Sequence, residues 1–175
     1  ALHRIAIALA LYADDFEKDD WVREEINRLK DVFQRCKHIS RKIVDMLLME
    51  HKAEYVVVHV VSSVPRICIG DIMHDYIEAG GKVIVLINTM REKDEYCPSL
   101  TENMGQPYAR ISIRSRDPRF DARKILECFG GGGHKVAAGA RLPLKNLDNF
   151  LLFILRELSK YDKYVLYFRI DKDTV

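Results

Sequence analysis

Two runs constrain the fold of this chain more than any others: EYVVVHVV at Glu54–Val61 and KVIVLINT at Lys82–Thr89. Both are rich in β-branched residues and almost free of polar ones. A strand with one wet face alternates apolar and polar residues. A run that is apolar at nearly every position predicts a strand covered on both faces. Between the two runs, Gly70 to Ala79 reads as a helix, with Asp71 as its cap and Gly80-Gly81 as its stop. Strand, helix and strand in succession predict a sheet with helices packed against it.

The rest of the C-terminal part extends this pattern. Residues 91–106 are polar and turn-rich and read as a loop. YARISIRSR, Tyr108–Arg116, alternates strictly and predicts a half-exposed strand. Asp121–Phe129 predicts a helix capped by Asp121. Lys135–Leu142 reads as a strand or extended segment, Leu147–Lys160 as an amphipathic helix, and Tyr164–Ile170 as a final strand. The expected fold class is α/β: a mixed, mostly parallel sheet of about five strands with flanking helices, preceded by a long connector helix.

That connector occupies the start of the chain. The first proline is Pro65 and the first glycine is Gly70, so the opening third contains neither strong breaker. Val22, Ile26, Leu29, Phe33 and Cys36 recur at helical spacing. Ile39, Ile43 and Leu47 extend the stripe with one slip. One amphipathic helix, or two nearly collinear ones, is predicted from about Trp21 to Glu50, with Asp19 or Asp20 as cap. As one helix it would run about 45 Å. His3–Tyr12 favours a further short helix. The expected division is a helical tail plus connector over 1–50 and a second domain over 51–175.

The 175 residues carry a formal net charge of only +2. There is no global polybasic signature, so any binding of nucleic acid or phosphate must come from a local cluster. Cys36, Cys68, Cys97 and Cys128 lie far apart, with no close pair of the kind zinc sites use. Four reduced thiols in a cytoplasmic protein are expected. No apolar run is long enough to span a membrane. The chain begins at Ala1 without a methionine, which suggests a piece of something longer.

FGGGGHKVAAGA, Phe129–Ala140, is the most biased stretch of the chain. Four glycines in a row are costly to order, and their use is to permit positive φ and close approach to backbone N–H groups. Gly130 falls where a helix-terminating glycine belongs. The other three lack that explanation, and Ala137–Ala140 continue the want of bulk, so the two segments predict a floor or cleft wall. Named nucleotide motifs do not fit. GxxxxGK[ST] fails because Val136 follows Lys135, and GxGxxG fails because its third glycine would fall on Lys135 or Val136.

The strand YARISIRSR supplies charge. Ala109, Ile111, Ile113 and Ser115 point one way, and Tyr108, Arg110, Ser112, Arg114 and Arg116 the other. Three arginines on one strand face repel one another unless an anion sits among them, and the guanidinium fork suits phosphate. Only a short helix separates this strand from the glycines, so Arg116, Arg119, His134 and Lys135 would add to one positive patch.

Ser112-Ile113-Arg114-Ser115, followed by Gly131-Gly132-Gly133-His134 and then Ala137-Ala138-Gly139, resembles the C-terminal DHH-associated domain, of the first type, of DHH-family phosphoesterases. The resemblance covers roughly residues 54–145. It implies a substrate-binding domain that closes over an upstream catalytic domain. That upstream domain would hold two divalent ions, usually manganese, which activate water for phosphoester hydrolysis. By the same resemblance Arg114 would hold substrate phosphate, and His134 would reach the scissile phosphate or terminal nucleotide. Gly131, Gly132 and Gly133 would give backbone room, and Arg116 and Lys135 would be rim contacts. Ser115 completes the expected substrate-binding set.

No Asp-His-His triplet occurs in this chain, and neither Asp14-Asp15 nor His74-Asp75 supplies the aspartates a two-metal site needs. No catalytic or metal-binding residue is therefore expected here. The expected partners are a nucleotide or short single-stranded nucleic acid and the upstream domain, with no membrane; a homodimer stays open. The alternatives are an RNA-binding module of the alanyl-tRNA synthetase C-terminal type and a non-catalytic interaction domain.

Overall fold

The computed structural model describes residues 19–61, 64, 68–89, 108–171 and 174. They divide into two compact units, one ending at His38 and one beginning at Ile39. The predicted helix at His3–Tyr12 and the loop at 91–106 lie outside the described residues.

The breaker-free opening forms α1, Asp20–Asp45, which passes into a single π-helical turn at Met46–Glu50. Asp19 caps it, its carboxylate accepting from Val22 N–H at 3.1 Å. In the second unit follow β1 (Tyr55–Val60), α2 (Ile69–Glu78), β2 (Val83–Asn88), β3 (Tyr108–Ser115) and α3 (Ala122–Glu127). Then come β4 (Gly132–His134), β5 (Ala137–Pro143), a 3-10 turn at Leu144–Asn146, α4 (Leu147–Leu158) and β6 (Leu166–Ile170).

One sheet of six strands, in the order β4-β5-β3-β2-β1-β6, organises the second unit. β1 pairs parallel with β2 and β6. β3 pairs antiparallel with β2 and β5, and β4 antiparallel with β5. The sheet is therefore mostly antiparallel, not mostly parallel, and has six strands, not about five. The extra strand is the glycine run itself, which pairs with the small residues after it as a hairpin. Direction depends on the end at which the chain re-enters the sheet, and periodicity carries no information on that.

Both apolar runs are central. Every residue of β1 and β2 is buried, as expected for strands covered on two faces. On one face, Val57, Val85, Ile111 and Ile113 pack with Leu126 of α3 and Phe150, Ile154 and Leu158 of α4. α2 lies on the other face and buries Ile72, Met73 and Tyr76. Its N-cap is Cys68, not Asp71, which lies inside the first turn. Tyr76 donates its hydroxyl to Ala53 O at 2.9 Å. Half-buried Asp75 accepts from buried Ser40 at 2.6 Å.

Cysteine state departs from expectation. Cys36 and Cys68 are each disulfide-bonded, while Cys128 is free and exposed; Cys97 is outside the described residues. Spacing along a chain does not report which Cα atoms approach within the roughly 4.4–6.8 Å that a disulfide needs.

Gly81 is held by packing. A Cβ there would fall inside the buried Tyr76 ring. Gly81→Ala is expected to lower stability by about 1–3 kcal/mol through overpacking, read from the midpoint of urea unfolding.

A cleft between β3, the glycine hairpin and α2

The strict alternation of β3 sorts its side chains. Ala109, Ile111 and Ile113 are buried in the core. Arg110, Ser112 and Arg114 line a cleft of about 420 Å³ on the opposite face. On this side α2 packs against β2 and β3, and the cleft lies between its N-terminal end and the glycine hairpin.

Register makes its floor bare. Ser112 stands between Leu86 of β2 and Gly139 of β5, and Gly139 in turn pairs with Gly132 of β4. Ser112 and two glycines thus form a row across three strands with almost no bulk. Arg110 and Arg114 flank this row, their Cα atoms about 13 Å apart at the rise of an extended strand. Arg114 is exposed and has no carboxylate partner among the described residues. Arg110 pairs across the strands with Arg141, and both guanidinium groups lie over the Tyr108 ring, at 6.0 and 5.5 Å from its centroid. The ring face offsets part of the repulsion between the two cations.

The four glycines have separate causes. Gly130, at φ +71°, terminates α3. The N–H of Gly131 donates to Leu126 O at 2.9 Å and that of Gly130 to Glu127 O at 3.1 Å, the paired bonds of a Schellman stop. Gly131 and Gly133 lie hard against β5: a Cβ would stand 2.5 Å from Gly139 O in the first case and 2.5 Å from Ala137 O in the second. Gly133 is also at φ +141°, which side chains avoid. Gly132 is different, since a Cβ there would meet nothing within 4 Å. Its side opens into the cleft.

The hairpin tip is anchored through its backbone. Ser115 N–H donates to Val136 O at 2.9 Å, and Ala122 N–H to Lys135 O at 2.8 Å. The segment between these donors is held by Asp117. This buried carboxylate accepts from Arg119 Nη2 at 2.6 Å and from the Tyr55 hydroxyl at 2.5 Å. The Arg119 guanidinium holds the Asp117 carboxyl well below the usual carboxylate range. Burial, followed by the adjacent carboxylate, pushes the Tyr55 hydroxyl up to about 12.

The structure brings together some of the expected site residues. Arg114, Gly132 and Gly133 line the cleft. Gly131 supports the hairpin from behind. His134 ends β4 and Lys135 follows it in the turn, both exposed, on the hairpin that borders the cleft. Ser115 is on the core face, buried, with its hydroxyl accepting from Asp117 N–H at 3.1 Å. Arg116 lies past the strand end and donates to Ile77 O at 3.3 Å. Missing from the expected set are Arg110, Ser112, Asn88 and the first turn of α2, all of which line the cleft. For Asn88 and α2 the available signal was their place at or beyond the carboxyl ends of β2 and β1, where open α/β sheets bind ligands. For Arg110 and Ser112 it was the alternation of β3, which puts them on the face of Arg114.

Comparison with known proteins agrees with the motif reading. The DHHA1 domain family matches residues 55–160. No curated protein matches. Among solved structures, RecJ from Thermus thermophilus in complex with Mg2+ is similar, with a TM-score of 0.58 at 18% identity. Its complex with Mn2+ gives 0.53 at 16%. Each comparison covers 95% of this chain and 24% or 25% of the other, so the chain spans about a quarter of those structures' length. Among the described residues no group of His, Cys, Asp or Glu is placed to hold a metal ion, and no helix is long and apolar enough to cross a membrane.

A pH signature follows for Asp117. Its carboxylate is stabilised by folding, so its contribution is present above about pH 4 and is lost as pH falls through that range towards the depressed native value. Asp117→Asn is expected to melt below wild type at pH 7. The gap should close as the pH is lowered from about 5 to about 2, followed by calorimetry.

Proposed function

The chain belongs to the DHHA1 domain family, and on that premise we propose that its cleft holds the phosphate-bearing end of a nucleotide or short single-stranded nucleic acid. The observation that carries this reading is the bare Ser112-Gly139-Gly132 row flanked by Arg110 and Arg114. A phosphate laid on that row meets a guanidinium fork and can approach the backbone of the hairpin. Arg114 binds phosphate oxygens. His134, at the rim, reaches the phosphate to be cleaved, and Lys135 and Arg116 add long-range attraction.

In this reading hydrolysis belongs to an upstream catalytic domain. Two divalent ions there, manganese foremost, would activate the attacking water and neutralise charge on the transferring phosphoryl group. The residues of this chain bind and orient the substrate and leave the proton transfers to that domain.

Titration of the 175-residue chain with 5′-phosphorylated pentathymidylate tests the proposal. The amides of Gly131 to His134 and of β3 are expected to shift in NMR spectra, and binding should weaken steeply with added salt. Arg114→Ala should lower affinity about 10- to 100-fold, the range for a hydrogen bond to a charged group. His134→Ala should weaken it less. Unmoved amides across the hairpin and β3 would sink the reading. Tight binding of duplex RNA with no response to the single-stranded probe would favour an RNA-binding module instead.

A further inference from the structure

The cleft has a second wall that the family motif does not cover. It is built by the first turn of α2, where Ile69, Gly70 and Met73 face the cleft beside Leu86 of β2. This wall is apolar apart from Asn88 at the end of β2, while the β3 wall opposite carries Arg110 and Arg114. The ligand that fits both is amphipathic, with anionic charge on one side and a flat or apolar body on the other.

Gly70 is the informative residue. It is the second residue of α2, in the first turn after the Cys68 cap. Its φ is not in the left-handed region, and a Cβ there would meet nothing within 4 Å. Among the described residues no left-handed φ and no packing contact accounts for it. That contrasts with Gly81, Gly131 and Gly133, whose missing side chains are all demanded by neighbouring atoms. Gly132 and Gly139 share its character: each lines the cleft, and at each a Cβ would meet nothing nearer than 3.6 Å. Three glycines on three separate elements, each with room for a side chain among the described residues, therefore border one cavity that two arginines also line.

We propose that Gly70 is a substrate-positioning residue: its bare backbone, with Ile69, Met73 and Leu86, receives the sugar and base of the nucleotide whose phosphate lies by Arg114. This rests on the phosphate-binding reading above and adds the orientation of the ligand within the cleft. The nucleoside lies against α2, and the phosphate points to β3 and the hairpin. A side chain at position 70 occupies the space the sugar and base need and leaves the phosphate subsite untouched.

The test uses Gly70→Ala and Gly70→Leu in the 175-residue chain, with 5′-phosphorylated pentathymidylate and inorganic phosphate as probes. Both variants are expected to melt at or above the wild-type temperature, because a helical glycine has been replaced in open space. Affinity for the oligonucleotide should fall with side-chain size, about tenfold for leucine, the order of effect of a misfitted group in a binding pocket. Inorganic phosphate should bind all three proteins equally. Equal oligonucleotide affinity in all three overturns the orientation alone. So does a parallel loss of phosphate binding, which would place the anion at α2. Failure of the wild type to bind either probe overturns the phosphate-binding reading as well, whereas a wild type that binds and is weakened by Arg114→Ala but not by the Gly70 variants overturns the orientation alone.

Discussion

The register of β3 is the constraint on which the rest depends. Its side chains alternate between an apolar core and a cationic cleft, and a strand's two-residue period makes that assignment all or none. A slip of one residue would drive Arg110 and Arg114 into the packing of Phe150 and Leu126 and expose Ile111 and Ile113. Burying unpaired charge is among the most costly changes a fold can suffer. β3 is therefore fixed against β2 on one side and β5 on the other, and the cleft inherits its geometry from that fixation.

β5 and the hairpin show how a costly sequence becomes a built surface. Ser112 can face a bare row only because its cross-strand neighbours, Gly139 and beyond it Gly132, have no side chains. Glycine loses much entropy on ordering. Here the loss is offset by the Schellman stop at Gly130, the hydrogen bonds at Ser115 and Ala122, and the Asp117–Arg119–Tyr55 cluster that holds the chain between them. None of the three residues lines the cleft, yet the cluster fixes the segment to which the hairpin tip is tied.

Much of this was legible in the order of residues. The two buried strands, the alternation of YARISIRSR, the Asp121 cap and the stop at Gly130 are local properties, and each appears where the pattern places it. The motif at Gly131–Gly139 was enough to indicate the family. Legibility ends with residues that converge from distant parts of the chain. Asn88 meets β3 only through the pairing of β2 with β3, Gly70 and Met73 reach the cleft only once α2 has docked, and Ser115, adjacent to Arg114 in sequence, goes to the other face. The disulfide-bonded state of Cys36 and Cys68 likewise has no local signature.

By itself the sequence determined the helices and five of the six strands of the second unit, which face of β3 is charged, and that the glycines must serve more than a chain stop. Those conclusions follow from periodicity and from the conformational range of single residues, which act over a few positions. Tertiary structure alone decided the strand order, the antiparallel majority of the sheet and the second wall of the cleft. These depend on pairing and packing between residues tens of positions apart, where the free energy belongs to the assembled sheet and not to any segment of it.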